Sequence, residues 1–218
     1  MYLESTTNHY IFHYKPGSPA EHDIEIIKQC QENCYSRITK TLNVHFPQSI
    51  HYWLCESPED VGRLYGDDEP CNGAAREPDT VYAVYNEHIK CIGAHEDAHL
   101  ISYTIAVPES VFLREGLAMF FDSEWWGEPN EVWVRKFIEN NTLPSIRKLF
   151  SDEYFYEYDC AVTYPVAGEF TGYLINTFGI EKYLDLYRYK GLDWHKAFFE
   201  AFEMTIDEAV SEFILKLS

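Results

Sequence analysis

The sequence predicts an α+β chain: a small mixed β-sheet lobe over residues 1–88, followed by a mostly helical lobe over residues 89–218. Three observations carry that expectation. Strand-like runs are confined to the first 86 residues. Apolar residues spaced by three and four take over near Ile89 and persist to the end. No Pro-, Gly- or Ser-rich linker separates the two patterns, so the lobes are expected to form one compact unit.

Residues 8–14 alternate and carry Tyr, Ile and Phe, which predicts a strand. Gly17-Ser18-Pro19-Ala20-Glu21 then opens a helix. Ser18 can cap it, Pro19 suits the first turn, and Glu21 completes a capping box. Ile24, Ile27, Cys34, Tyr35, Ile38 and Leu42 recur at helical spacing and give this helix one apolar face. Ile50–Cys55 reads as a strand and Pro58–Tyr65 as a short helix. Gly66, Pro70, Gly73 and Pro78 break residues 66–79 into a loop. Residues 80–86, Thr-Val-Tyr-Ala-Val-Tyr-Asn, carry the strongest strand signal. Helices are expected at 89–105, 108–122, 129–140, 160–178, 180–189, 191–203 and 206–217.

Composition narrows the function classes. Of 218 residues, 46% are hydrophobic and 17% aromatic, enough for a packed core and against disorder. The net charge of −19 argues against nucleic acid and against anionic membranes, whose phosphates would be repelled. The amino terminus lacks a basic start with an apolar run, and no stretch of 18 apolar residues occurs. A cytoplasmic protein is therefore expected. The six cysteines are scattered. Cys30 and Cys34 lie one helical turn apart without a second close pair, which favours buried thiols over a metal site.

His95-Glu96-Asp97-Ala98-His99 matches the spacing His-Glu-x-x-His. On a helix, residues four apart point the same way, so both imidazoles can reach one ion while Glu96 stands beside that face. The flanks Ile89 to Ala94 and Leu100-Ile101 are largely apolar, so the helix is expected to be buried and its polar groups to need partners. A hydrolytic zinc site takes three protein ligands and leaves one position open. A third histidine in the extended pattern would need Gly at 102 and His at 105, where this chain has Ser102 and Ile105. The carboxylates Glu109, Glu115, Asp122 and Glu124 remain. From His99 a helix can run seven residues to Ala106, about 10 Å at 1.5 Å per residue. Val107-Pro108 forces a new start, and seven residues from Pro108 reach Glu115, level with His99 if the second helix folds back. Gly116 would let that helix approach a neighbour closely. Asp97 lies about 200° around the helix from His95, away from the metal face, and either caps a buried donor or meets solvent.

Phe112-Leu113-Arg114-Glu115-Gly116-Leu117-Ala118-Met119-Phe120-Phe121 resembles the segment of gluzincin metallopeptidases that supplies the third zinc ligand. Tyr164 to Ile175, with Phe178-Gly179, resembles the helix after the active site in bacterial peptidase MA-like domains. The resemblance spans roughly residues 73–188 and departs at Asp97, a position usually uncharged. It implies a zincin-like fold with the zinc site in the cleft between the lobes. One Zn2+ would be held by His95, His99 and Glu115, with Glu96 as general base toward a metal-activated water. It also implies that the strand at 80–86 edges the sheet and pairs with extended substrate through Val81, Tyr82, Ala83 and Val84. By its position in the family-like segment, Tyr164 is the candidate donor to the oxyanion. The Gly-x-Met-Glu-Asn motif of the large zinc aminopeptidases is absent, and Gly73-Ala74-Ala75-Arg76-Glu77 does not replace it, which favours an endopeptidase.

Three further expectations complete this reading. His195, beside Trp194, is a secondary candidate near the chemistry, and Asp122 a candidate partner for a ligand histidine. The partner is a peptide or protein substrate. The competing readings are a non-catalytic zinc-containing domain that binds peptides or a partner, and a zinc hydrolase of another amide.

Overall fold

A computed structural model describes residues 1–191 and 193–217. The mixed α+β class holds, and the chain divides into two compact units, Met1–Thr104 and Ile105–Ser218.

The first unit is built on a five-stranded sheet. Its strands are β1 (Leu3–Thr6), β2 (Tyr10–Tyr14), β3 (Ile50–Cys55), β4 (Gly73–Arg76) and β5 (Thr80–Val84), and its helices α1 (Pro19–His22), α2 (Ile24–Leu42), α3 (Pro58–Tyr65) and α4 (His95–Tyr103). The sheet order is β1-β2-β3-β5-β4. The inner pairs β2/β3 and β3/β5 are parallel, and the outer pairs β1/β2 and β4/β5 antiparallel. Tyr10, Phe12, Ile50 and Tyr52 are fully buried or nearly so, as are Ile27, Gln31 and Ile38 of α2. Tyr10 makes ring contacts with Tyr35 of α2 and Tyr52 of β3. The expected helix from Pro19 is real but broken. Ser18 caps α1 by accepting from the Glu21 amide, the Glu21 carboxylate accepts from Gly17 N–H, and α2 restarts after Asp23.

The second unit is helical apart from one tight hairpin. It comprises α5 (Val111–Asp122), β6 (Glu124–Trp125), β7 (Glu128–Pro129), α6 (Asn130–Glu139), α7 (Ile146–Leu149), α8 (Asp152–Phe155), α9 (Cys160–Phe178), α10 (Ile180–Tyr187), α11 (Trp194–Phe202) and α12 (Ile206–Leu217). The helix expected over 191–203 is seen as α11; its Leu192 lies outside the described residues. Helices α5 and α9 pack through paired glycines. A Cβ on Gly116 would sit 2.4 Å from Thr171 Oγ1, and one on Gly168 would sit 2.6 Å from Met119 Cβ. Both glycines are therefore required by close approach. Among the described residues no helix is long and apolar enough to cross a membrane.

Three sequence expectations differ from the structure. The segment 66–79 is not all loop, because Gly73–Arg76 forms β4. The strand at 80–84 is not an edge. It lies between β3 and β4, with Val81, Tyr82, Ala83 and Val84 buried. Its backbone groups are taken up on both sides, so these four residues do not pair with substrate. The boundary expected at 88/89 also differs from the contact division, which falls after α4 and groups the His-Glu-x-x-His helix with the sheet.

Candidate metal centre

Helix α4 begins later than periodicity suggests, and the reason is local. Asn86 Oδ1 accepts from the amides of His88 and Ile89, and Cys91 N–H donates to Val84 O, so residues 86–91 form a turn returning along β5. Gly93 then takes φ +147°, in the region that favours glycine. Its N–H donates to Gln31 Oε1 at 3.0 Å and its carbonyl accepts from Gln31 Nε2 at 2.9 Å. One fully buried glutamine of α2 thus fixes where α4 starts.

The same glutamine meets Asp97. Asp97 is 0% exposed, and its Oδ2 accepts from Tyr10 Oη at 2.5 Å and from Gln31 Nε2 at 2.9 Å. Of the two roles left open for Asp97, the structure shows the buried one. Burial drives its carboxyl well above the usual range; the Tyr10 bond opposes that rise, the Glu96 charge adds to it, and the Gln31 bond again opposes it. Asp97 Oδ1 has no hydrogen-bond partner. Asp97 therefore ties α4 to α2 and β2.

On α4, the His95 and His99 rings meet edge to face, 4.9 Å apart at 83°. His99 is buried and His95 half-buried. The Tyr103 hydroxyl lies 3.4 Å from His99 Nδ1, one helical turn on, and bears on that ring's orientation. Ligand atoms of His95, His99 and Glu115 all lie within 4.8 Å of one another, a group that can hold a metal ion. Two imidazoles and one carboxylate are the donor set of an open zinc site.

Glu115 reaches this group by shorter helical arms than expected. Helix α4 ends at Tyr103, four residues past His99, and α5 starts at Val111, four residues before Glu115. Thr104 Oγ1 donates back to the Ile101 carbonyl, and Val107-Pro108 disfavours helix between the two. Asp152 Oδ1 accepts from the Val111 amide at 2.8 Å, and Arg114 Nη1 donates to the carbonyls of Pro108 and Glu109. These bonds fix the start of α5. Glu115 is half-buried overall, with Oε2 buried.

Glu96 is half-buried beside the histidines, and its carboxylate lies against β4. A Cβ on Gly73 would stand 2.6 Å from Glu96 Oε1. The outermost strand therefore presents a bare glycine to the Glu96 carboxylate. Sequence reading missed both β4 and this contact. Glycine followed by two alanines has weak strand propensity, and only the Gly73 break itself marks the position.

The remaining candidates separate. Tyr164, on the second turn of α9, packs its ring 5.3 Å from Trp125 and 6.1 Å from Phe155. Tyr156, not singled out by sequence, is exposed, and its phenol is raised by partial desolvation, with Arg114 opposing and Glu115 adding to that rise. Asp122 is the last residue of α5. His195 lines a different cavity, with Trp194 and residues of α7. Gln31 could have been found in sequence. It occupies a core position in the register of Ile27, Cys34, Tyr35 and Ile38, where a polar residue needs a buried partner. Comparison with protein-family models and with curated proteins finds no match to this chain.

Proposed function

We propose that this chain is a zinc-dependent, gluzincin-like metallopeptidase that hydrolyses internal peptide bonds. The observation that supports it most is the convergence of His95, His99 and Glu115, with Glu96 adjacent to the first histidine. His95, His99 and Glu115 would hold the ion. A zinc ion there supplies Lewis acidity toward water and toward the scissile carbonyl.

The chain's own residues do the rest. Glu96 takes a proton from the attacking water and passes it to the departing amine. Gly73 keeps β4 close to that carboxylate without crowding it. The outer side of β4, rather than β5, offers its backbone to an extended peptide, with side-chain pockets left to set selectivity. Tyr164 is the proposed hydroxyl donor to the oxyanion.

The test is a cleavage assay on a peptide library with and without chelator, combined with metal analysis of the wild type and Glu96→Gln. Glu96→Gln should retain about one zinc per chain while turnover falls by at least about 100-fold, the general-base contribution. Chelator-insensitive cleavage, or full activity in Glu96→Gln, would overturn the assignment. Bound zinc without cleavage of any peptide would instead favour a binding domain.

A further inference from the structure

A cavity of about 380 Å³ opens on the second unit between α7, α8 and α11, and none of the metal-binding candidates lines it. Phe150, Tyr154 and Trp194 give it aromatic walls, while Arg147, Lys148 and His195 give it basic groups. No Asp or Glu is among the lining residues, although the chain holds 36 acids against 17 lysines and arginines. The charged side chains that line the cavity are therefore basic, one of them, Arg147, paired with Asp207 beside it.

Its hydrogen-bonding groups are donors in excess. Asp207 takes one Arg147 nitrogen, Nη1, at 2.8 Å. The Lys148 ammonium lies 5.3 Å from the Tyr154 ring centroid, a cation–π contact that uses no hydrogen bond. Ser151 precedes α8 without capping it through its side chain. Trp194 is half-buried, held by ring contacts at 5.3 Å to Tyr189 and 6.2 Å to Phe150, and it lines the cavity with an aromatic ring. Donors and cations beside aromatic faces complement a ligand that carries acceptors, negative charge and a ring.

We propose that this cavity binds a small aromatic oxyanion, a planar ring bearing a carboxylate or a phosphate. The ring lies against Trp194 and the oxyanion meets Lys148, His195 and the remaining guanidinium nitrogens of Arg147. The cavity volume fits one such molecule and not a folded partner. The site stands independently of the metal reading.

The test is isothermal titration of the full chain with phenyl phosphate and with phenylacetate, alongside inorganic phosphate, acetate and phenethylamine. At least one aromatic anion should bind saturably at one per chain, about tenfold or more tighter than the ring-free anions and the amine. The tighter of the two identifies phosphate or carboxylate as the natural group. Lys148→Glu, an exposed change that leaves the fold intact by its thermal transition, should weaken that binding by about tenfold or more, and Trp194→Leu should weaken it while abolishing preference for the ring. Absence of saturable binding below about 5 mM, equal affinity in Lys148→Glu, or equal affinity for phenethylamine would each overturn the proposal.

Discussion

Asp97 shows how one residue can look like a defect in sequence and act as an anchor in the fold. Within His95-Glu96-Asp97-Ala98-His99 it is the carboxylate that bonds to Tyr10 and Gln31 instead of joining the two histidines. Its position about 200° from His95 already directs it to the far side of the helix. What periodicity cannot supply is the partner, because Tyr10 lies 87 positions away in sequence and Gln31 lies 66. The fully buried carboxyl relies on donors, and only Oδ2 has them. Tyr10→Phe removes one of the two and leaves the Gln31 carbonyl without that hydroxyl as well. Urea unfolding should show a loss of about 1–3 kcal/mol for Tyr10→Phe, the cost of stranding a buried polar group. Tyr14→Phe, on the same strand, should change stability by less than about 0.5 kcal/mol. Equal effects in the two variants would show that Asp97 draws no stability from Tyr10.

The elements that sequence predicted well are the long ones. Helices α9 and α12 and strand β3 fall where spacing placed them, because 19, 12 and 6 residues are enough for a period to show. The missed elements, among them β4, β6, β7, α7 and α8, run two to four residues, shorter than one helical period or two strand repeats can establish. The cost of missing β4 was functional, since it led to an interior strand being read as the sheet's edge. Its Gly73 offers the sharpest test at this scale. A methyl group there must displace either β4 or the Glu96 carboxylate, given the 2.6 Å separation. On the proposed peptidase reading, Gly73→Ala should therefore reduce peptide turnover by about tenfold to a hundredfold, as a displacement of about 1 Å can do. Zinc content should stay at the wild-type level, because the substituted strand touches Glu96 and supplies none of His95, His99 or Glu115. Unchanged turnover in a folded Gly73→Ala protein would remove the close contact from any role in catalysis.

Across the whole molecule the dominant feature is charge. With a net charge of −19, the acids outnumber the bases about two to one, so many carboxylates repel one another at distances that ion pairs do not cover. The ion pairs that do form are mostly exposed, such as Lys136–Glu128 and Arg147–Asp207, and each contributes about 0–1 kcal/mol. Folding concentrates this charge, whereas the unfolded chain spreads it out, so repulsion opposes the native state. Salt separates the two contributions by sign. Screening weakens the few attractive pairs slightly and the many repulsions more, since the Debye length falls from about 30 Å at 0.01 M to about 10 Å at 0.1 M. Raising NaCl over that range should therefore raise the Tm, by roughly 2–8 °C if about 1–2 kcal/mol of repulsion is relieved in a chain of this size. Replacing several exposed, unbridged acids such as Glu87, Glu139 and Glu157 by glutamine should raise the Tm at low salt and shrink its salt dependence. A Tm that falls with added NaCl would mean that specific ion pairs, not net repulsion, govern the stability of this acidic chain.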